Sequence, residues 1–139
     1  MVCLRLNDPF ITSMSSGNFA WGVTEDCKEP EAAVKLLNLM FTDPDIMNLL
    51  SYGIEGIHYV VKYDGMIDFP EGVTSETCGY CPNIAWEYPN QFITYVREGN
   101  SPTLWEDMVE FNDSAVKSKA IGFSFDRTPV NEEYSAVRK

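Results

Sequence analysis

The chain has 139 residues, enough for one domain with a sizeable core, and 45% of them are hydrophobic. Ten basic against twenty-one acidic residues give a net charge of −11, and no Lys or Arg cluster offsets it. This balance disfavours nucleic acids and anionic membrane surfaces as partners, because both need clustered positive charge. No apolar run approaches the ~20 residues of a membrane span, and residues 1–20 lack the layout of an export signal. We expect a single domain over residues 1–139, with residues 1–17 left without a clear assignment.

The first half of the chain carries the strongest secondary-structure signals. Apolar residues alternate with small ones in Asn18–Thr24, which predicts a strand. Two helices are predicted next, over residues 30–41 and 44–52, because each starts with a proline and continues with apolar residues at helical spacing. Asp43 is a suitable cap for the second helix, and Gly53 is a suitable residue to end it.

A hairpin and a loop are predicted after these helices. Residues 58–63 and 66–69 flank Asp64-Gly65, a strong two-residue hairpin signal. Residues 71–83 are polar and contain glycines, which is typical of a surface loop. Apolar residues at helical spacing then predict a helix over Tyr88–Arg97.

The last third of the chain is predicted to be helical at both ends. Ser101-Pro102 would cap a helix that runs to about Lys117, with Leu104, Trp105, Met108, Val109 and Phe111 on its buried side. Residues 120–126 would be extended or irregular, with two phenylalanines that anchor them to the core. Thr128-Pro129 opens a last helical turn. The predicted fold class is α+β, predominantly helical with short strands and one β-hairpin.

Cys78 and Cys81 form a CxxC motif with two possible chemistries. Such a pair can be a redox dithiol or can supply half of a zinc site. Cys3 and Cys27 are distant, and a polar loop rather than a strand precedes the motif. Incidental or loop-stapling cysteines are the simpler interpretation, and we predict no metal site.

Catalytic chemistry has little support in the sequence. His58 is the only histidine, and no nucleophile or carboxylate is placed near it by the local pattern. Acidic pairs such as Asp43/Asp45 and Glu132/Glu133 are explained by helix N-termini. Phosphate-binding, dinucleotide-binding and metalloprotease motifs do not occur in the sequence. We predict no catalytic residue, no cofactor and no enzymatic activity.

Aromatic residues are the remaining candidates for ligand contact. Trp105 lies on a predicted buried stripe, so core packing explains it. Trp86 lies in an irregular segment before a predicted helix, where an aromatic side chain often faces a cleft. Trp86 is therefore the first candidate for stacking on a sugar, with Tyr88 and Trp21 behind it.

Three separated blocks resemble one protein family. They are KEPEAAVKLLNLMFTDPDIMNLLSYGIEGIHYVV (28–61), PNQFITYVREGN (89–100) and SKAIGFSFDRTPV (118–130). Together they resemble the C-terminal domain of extracellular, lipoprotein-type (family 1) solute-binding proteins of bacterial ABC transporters, and the resemblance covers nearly the whole chain from Phe19 onward.

The resemblance implies a fold, a site and partners. The full-length family has two α/β lobes of the type II periplasmic-binding-protein fold, which close on a small solute and deliver it to a membrane permease. This chain would be part of the C-terminal lobe, without the N-terminal lobe, of an extracellular or cell-surface lipoprotein. The implied ligand-binding residues are Trp86, Tyr88, Asn90 and Trp21, and the solute would be a carbohydrate or a similar small solute. Pro89 stands where the family pattern usually has glycine, and the cysteine pair is not part of that pattern.

Two alternatives stay open at this point. One is a thiol-redox protein that uses Cys78 and Cys81. The other is a small module whose acidic face binds a protein partner.

Overall fold

The computed structural model describes residues 7–13, 15, 20–82 and 84–138. The helices are α1 (Pro30–Thr42), α2 (Pro44–Tyr52), α3 (Leu104–Asp113) and α4 (Asn131–Val137). The strands are β1 (Phe10–Ile11), β2 (Val60–Val61), β3 (Ile67–Asp68) and β4 (Val116–Lys117). Short 3-10 turns are found at Ala85–Glu87, Gln91–Ile93 and Thr128–Val130. The predicted class, helical with few short strands, is confirmed. No helix in the described part of the chain is long and apolar enough to cross a membrane.

The chain divides into two compact units, which are described separately. Of the described residues, the first unit holds 7–13, 15 and 111–138, and the second holds 20–82 and 84–110. The expectation that residues 1–139 form one domain stays a prediction.

The helix pair of the second unit follows directly from its sequence. Both helices begin at a proline, whose missing N–H has no partner to lose at a first helical position. The Asp43 carboxylate accepts hydrogen bonds from the backbone N–H groups of Asp45 and Ile46, so it caps α2. Met40 of α1 and Met47 of α2 are buried, and α1 and α2 pack against each other. These two predicted helices are confirmed.

The predicted hairpin is also confirmed, but its turn contains three residues, 63–65, rather than the two that Asp64-Gly65 predicts, because Lys62 pairs with Met66. Strands β2 and β3 pair antiparallel, with Val60 opposite Asp68 and Val61 opposite Ile67. The Lys62 ammonium bonds to the carboxylates of Asp68 and Glu98 beside this hairpin. Ile67 is fully buried and places the hairpin against the core of the second unit.

The predicted strand over Asn18–Thr24 is wrong for residues 20–24, the part of this range that the structure describes. Residues 20–24 have no regular secondary structure, and 18 and 19 lie outside the described residues. A strand requires a hydrogen-bonded neighbour, whereas this segment is held by the Trp21 side chain, whose indole Nε1 donates to the carbonyl of Glu87 at 2.7 Å.

The predicted helix over Tyr88–Arg97 is wrong as well. Only Gln91–Ile93 forms a short 3-10 turn, which the Asn90 side chain caps. The backbone beyond it bonds to other elements: the N–H of Tyr95 donates to Asn48 Oδ1 at 2.9 Å. Tertiary hydrogen bonds therefore replace the i→i−4 bonds that a helix would need.

The helix predicted from Ser101 to about Lys117 is shorter than expected. Helix α3 spans Leu104–Asp113, and of its predicted buried side Val109 and Phe111 are exposed. The two phenylalanines of residues 120–126 do not anchor that segment, since Phe123 and Phe125 are both largely exposed.

The first unit contains a strand pair that the sequence did not predict. Strands β1 and β4 pair in parallel, with Phe10 opposite Val116 and Ile11 opposite Lys117. The irregular segment 120–126 is confirmed. The predicted last helical turn is confirmed by the 3-10 turn at Thr128–Val130, which leads into α4.

Candidate functional site

The structure brings two of the four predicted ligand-binding residues to one turn. Trp86 lies in the 3-10 turn Ala85–Glu87, and its side chain is 54% exposed. Trp21 reaches the same turn through its hydrogen bond to the Glu87 carbonyl and is also 54% exposed. The hydrogen bond fixes the indole of Trp21 while about half of its surface remains accessible.

The polar groups of Tyr88 and Asn90 form hydrogen bonds to backbone carbonyls of this chain. The Tyr88 hydroxyl donates to the Leu50 carbonyl at 3.3 Å, and burial raises the pKa of this hydroxyl above its usual 10.0, with a further contribution from Tyr80. Asn90 Nδ2 donates to the Phe41 carbonyl at 2.8 Å. These contacts tie the segment after the turn to α1 and α2, so both side chains hold the turn that carries Trp86.

A cavity of about 550 Å³ lies beside α2, within the second unit. We call it the Arg97 cavity. It is defined by the side chains of Ser51, Tyr52, Phe69, Tyr95, Arg97 and Trp105. None of the four predicted ligand-binding residues lines it. Its volume is within the range of roughly 300–1,000 Å³ that is typical of small-molecule sites.

The aromatic walls of the Arg97 cavity are fixed by hydrogen bonds to one backbone segment. The Tyr52 hydroxyl donates to the Tyr95 carbonyl at 2.8 Å, and the Trp105 indole Nε1 donates to the Thr94 carbonyl at 2.8 Å. The Trp105 ring also packs edge-on against the Phe92 ring, with 5.9 Å between the ring centres. Because the polar ends of Tyr52 and Trp105 are occupied in this way, their rings are held in place.

Arg97 is positioned by strand β3. The Ile67 N–H donates to the Val96 carbonyl at 2.9 Å, and the Glu98 N–H donates to the Ile67 carbonyl at 2.8 Å. The Arg97 guanidinium lies 4.2 Å from the ring centre of Phe69 and 5.4 Å from that of Tyr52. These are cation–π distances, so the face of the guanidinium is covered by aromatic rings.

Two buried polar atoms at this cavity have no hydrogen-bond partner. They are Ser51 Oγ and Arg97 Nη1, the only such side-chain atoms found in the described part of the chain. Buried polar groups are nearly always paired, so each exception calls for an explanation.

The histidine and the cysteine pair have structural surroundings. His58 Nδ1 accepts a hydrogen bond from the Ile54 N–H at 2.9 Å, and its ring packs on Tyr80. The buried Cys78 thiol lies 3.2 Å from the His58 carbonyl, whereas Cys81 is exposed at the edge of the Arg97 cavity. Within the described ranges, no group of three or more His, Cys, Asp or Glu side chains could hold a metal ion.

Comparison with known proteins identifies relatives of the chain. No protein-family profile matches it. A carbohydrate ABC transporter substrate-binding protein of Streptococcus pneumoniae serotype 4 (strain TIGR4) is 30% identical over 118 residues, which are 83% of this chain and 23% of that protein.

Solved structures of a solute-binding protein also match this chain. The N-glycan transport solute binding protein (NgtS) of Streptococcus pneumoniae, in complex with Man1GlcNAc, matches with a TM-score of 0.63 and 27% identity over 82% of this chain. The match covers 25% of that protein. Its complex with Man5GlcNAc matches with a TM-score of 0.59 and 27% identity, over 81% of this chain and 24% of that protein.

The family resemblance found in the sequence is therefore confirmed. The relatives are carbohydrate ABC transporter solute-binding proteins, and the similarity covers part of their length. The chain spans about a quarter of the length of the relatives that it matches. These relatives give no support to the thiol-redox alternative.

The sequence did not reveal the Arg97 cavity. Ser51 and Arg97 are 46 positions apart and lie in two of the family-like blocks, but no spacing rule connects a helix serine with an arginine of an irregular segment. A weak signal was present, because Arg97 lies among aromatic residues in a strongly acidic chain.

Proposed function

We propose that this chain is part of an extracellular solute-binding protein of a bacterial ABC transporter. It forms one side of the ligand cleft, within the C-terminal lobe of a type II periplasmic-binding-protein fold. Its partners are the N-terminal lobe, the membrane permease and a carbohydrate solute. The role is binding and delivery rather than catalysis.

The observation that carries this proposal is that the half-exposed indole rings of Trp21 and Trp86 lie at one turn. Carbohydrates present apolar C–H faces, and exposed indole rings offer large, rigid apolar surfaces for them. The hydrogen bond from Trp21 to the Glu87 carbonyl orients one ring before any ligand arrives, which lowers the entropy cost of binding. Tyr88 and Asn90 support this surface by fastening the adjoining backbone.

The solved relatives suggest the class of solute. NgtS binds Man1GlcNAc and Man5GlcNAc, so a neutral glycan of mannose and N-acetylglucosamine is the first choice for this chain.

Helix α1 supports the proposal that another part of the protein packs on this one. Val34 and Phe41, seven positions apart and so on one face of this helix, are each more than half exposed. Exposed apolar side chains that lie close together are typical of interaction surfaces. The N-terminal lobe of the proposed two-lobed protein is the partner that would cover them.

Indole NMR signals provide a direct test. The chain contains three tryptophans, of which Trp105 lies at the Arg97 cavity and serves as an internal control. Titration with Manβ1-4GlcNAc should shift the indole N–H signals of Trp21 and Trp86 and leave that of Trp105 in place. One lobe that keeps about half of a micromolar binding free energy of roughly −8 kcal/mol should bind with a millimolar Kd.

Substitutions complete the experiment. Trp86→Ala should weaken binding about fivefold, the equivalent of one stacking interaction of about 1 kcal/mol. Phe123→Ala, which removes another exposed aromatic ring, should leave the Kd unchanged. Unchanged Trp21 and Trp86 signals at saturating disaccharide, or equal effects of the two substitutions, would refute the proposal.

A further inference from the structure

The two unpaired atoms at the Arg97 cavity point to a missing hydrogen-bond acceptor. Ser51 is only 3% exposed, and its hydroxyl is buried at the cavity wall without a partner. Arg97 Nη1 is buried at the same cavity and is also unpaired. Both atoms carry hydrogens that they can donate, so a ligand that satisfies them must bring acceptor oxygens.

The charge of the cavity agrees with this requirement. The chain has a net charge of −11, yet no Asp or Glu is found among the described residues that line the cavity. Arg97 is the one charged side chain on that lining. The nearest acidic groups along the chain, Asp68 and Glu98, are bonded to Lys62. The cavity thus presents a positive charge in an otherwise acidic molecule and favours an anion.

The aromatic walls of the Arg97 cavity indicate the chemistry of the rest of the ligand. Phe69 and Tyr52 cover the face of the guanidinium, which leaves its N–H edge for planar, two-oxygen acceptors such as a carboxylate. Tyr95 and Trp105 add aromatic surface of the kind that packs against sugar rings. The volume of about 550 Å³ accommodates a monosaccharide.

We propose that the Arg97 cavity binds a carboxylate-bearing sugar of the uronic acid type, separately from the surface formed by Trp21 and Trp86. The Arg97 guanidinium and the Ser51 hydroxyl donate hydrogen bonds to the carboxylate, and the aromatic walls contact the ring. The sugar part of this assignment rests on the proposed carbohydrate function, whereas the anion part rests on the cavity.

Cys81 offers a site-specific reporter. It is exposed at the edge of the cavity, and Cys27 lies elsewhere and serves as a reference thiol. Methyl β-D-glucuronide should slow alkylation of Cys81 by iodoacetamide at least threefold relative to Cys27, as followed by peptide mass spectrometry. It should also shift the Trp105 indole signal and leave Trp21 and Trp86 in place. Methyl β-D-glucoside, which has the same ring without the carboxylate, should do neither.

Two variants assign the effect to the unpaired atoms. Arg97→Gln should abolish the protection of Cys81. Ser51→Ala should weaken glucuronide binding roughly tenfold, as expected for a hydrogen bond to a charged group. Because the Ser51 hydroxyl has no partner without ligand, Ser51→Ala should not lower the urea midpoint of the free chain, whereas loss of a hydroxyl that stabilises the fold would lower it.

The outcomes of these experiments distinguish failure of the cavity proposal from failure of the proposed solute-binding function. Protection of Cys81 that is equal for glucuronide and glucoside, or that survives Arg97→Gln, would overturn the inference. Equally strong protection by sodium acetate would overturn the assignment to a sugar. If Manβ1-4GlcNAc shifts Trp21 and Trp86 but glucuronide has no effect on Cys81, the cavity proposal fails while the proposed function stands.

Discussion

Replacing Gly53 by alanine should strongly destabilise the second unit. Gly53 follows α2 with φ +84° and ψ −140°, a backbone conformation open almost only to glycine. A Cβ at this position would lie 2.5 Å from His58 Nδ1 and 2.8 Å from Tyr80 Cδ1. The His58 ring cannot move away without losing the hydrogen bond that Nδ1 accepts from the Ile54 N–H.

The expected loss of unfolding free energy in Gly53→Ala has two parts. Forcing alanine into this backbone conformation costs about 1–3 kcal/mol. Displacing His58 and Tyr80 removes one backbone hydrogen bond and the packing of the two rings, which adds about 2 kcal/mol. The sum of about 4 kcal/mol is a large fraction of the roughly 5–15 kcal/mol that stabilises a typical domain.

Urea unfolding with a matched control measures this difference. Gly56 has a similar φ of +80°, but a Cβ there would meet nothing within 4 Å. With a slope of about 2 kcal/mol per molar urea, Gly53→Ala should lower the midpoint by about 2 M and Gly56→Ala by about 0.5–1.5 M. Equal midpoint shifts for the two variants would refute the reasoning, since only Gly53→Ala has a steric part.

Three further predictions concern the same unit. Asp43→Ala removes the cap that bonds the Asp45 N–H, so the free energy of unfolding should fall by about 1 kcal/mol in urea titrations, and an unchanged midpoint would contradict the cap. Met47→Ala, at a fully buried position, should cost about 3 kcal/mol, and Met47→Leu, which largely preserves the volume, should cost less than half of that. The Lys62 ammonium lowers the pKa of Asp68 below its usual 3.8, so this ion pair stabilises the fold above pH 3.8 and the stabilisation is lost as the pH falls through the lowered pKa. Asp68→Asn should therefore reduce the loss of stability between pH 5 and pH 2 seen by thermal unfolding, and an identical acid profile in the variant would count against the pair.

The elements that the sequence predicted correctly are those that local chemistry determines. Helices α1 and α2 each begin at a proline, and Asp43 caps the second of them. The hairpin turns at Asp64-Gly65, where Gly65 has a positive φ of +79° that suits the turn. In each case the residues that determine the helix end or the turn lie within a few positions of that end or turn. A sequence pattern is therefore enough to predict the element.

The segment Tyr88–Arg97 shows where local patterns fail. Its apolar spacing favours a helix, but Asn48 and Ile67, which are distant in sequence, bond to its backbone instead. The Arg97 cavity depends on the same long-range contacts, so it could not be predicted either. Trp86 and Trp21 were candidates from the local sequence and the family resemblance, but the hydrogen bond that brings Trp21 to the turn of Trp86 joins positions 66 residues apart.

The backbone of residues 94–97 is fastened by hydrogen bonds from several elements. Tyr52, Asn48, Trp105 and β3 each bond to a backbone N–H or carbonyl of this segment rather than to its side chains. A segment fastened in this way keeps its path when its side chains are exchanged. Positions 95 and 97 are thus places where substitution can change the shape and charge of the Arg97 cavity while the backbone beneath it stays in place.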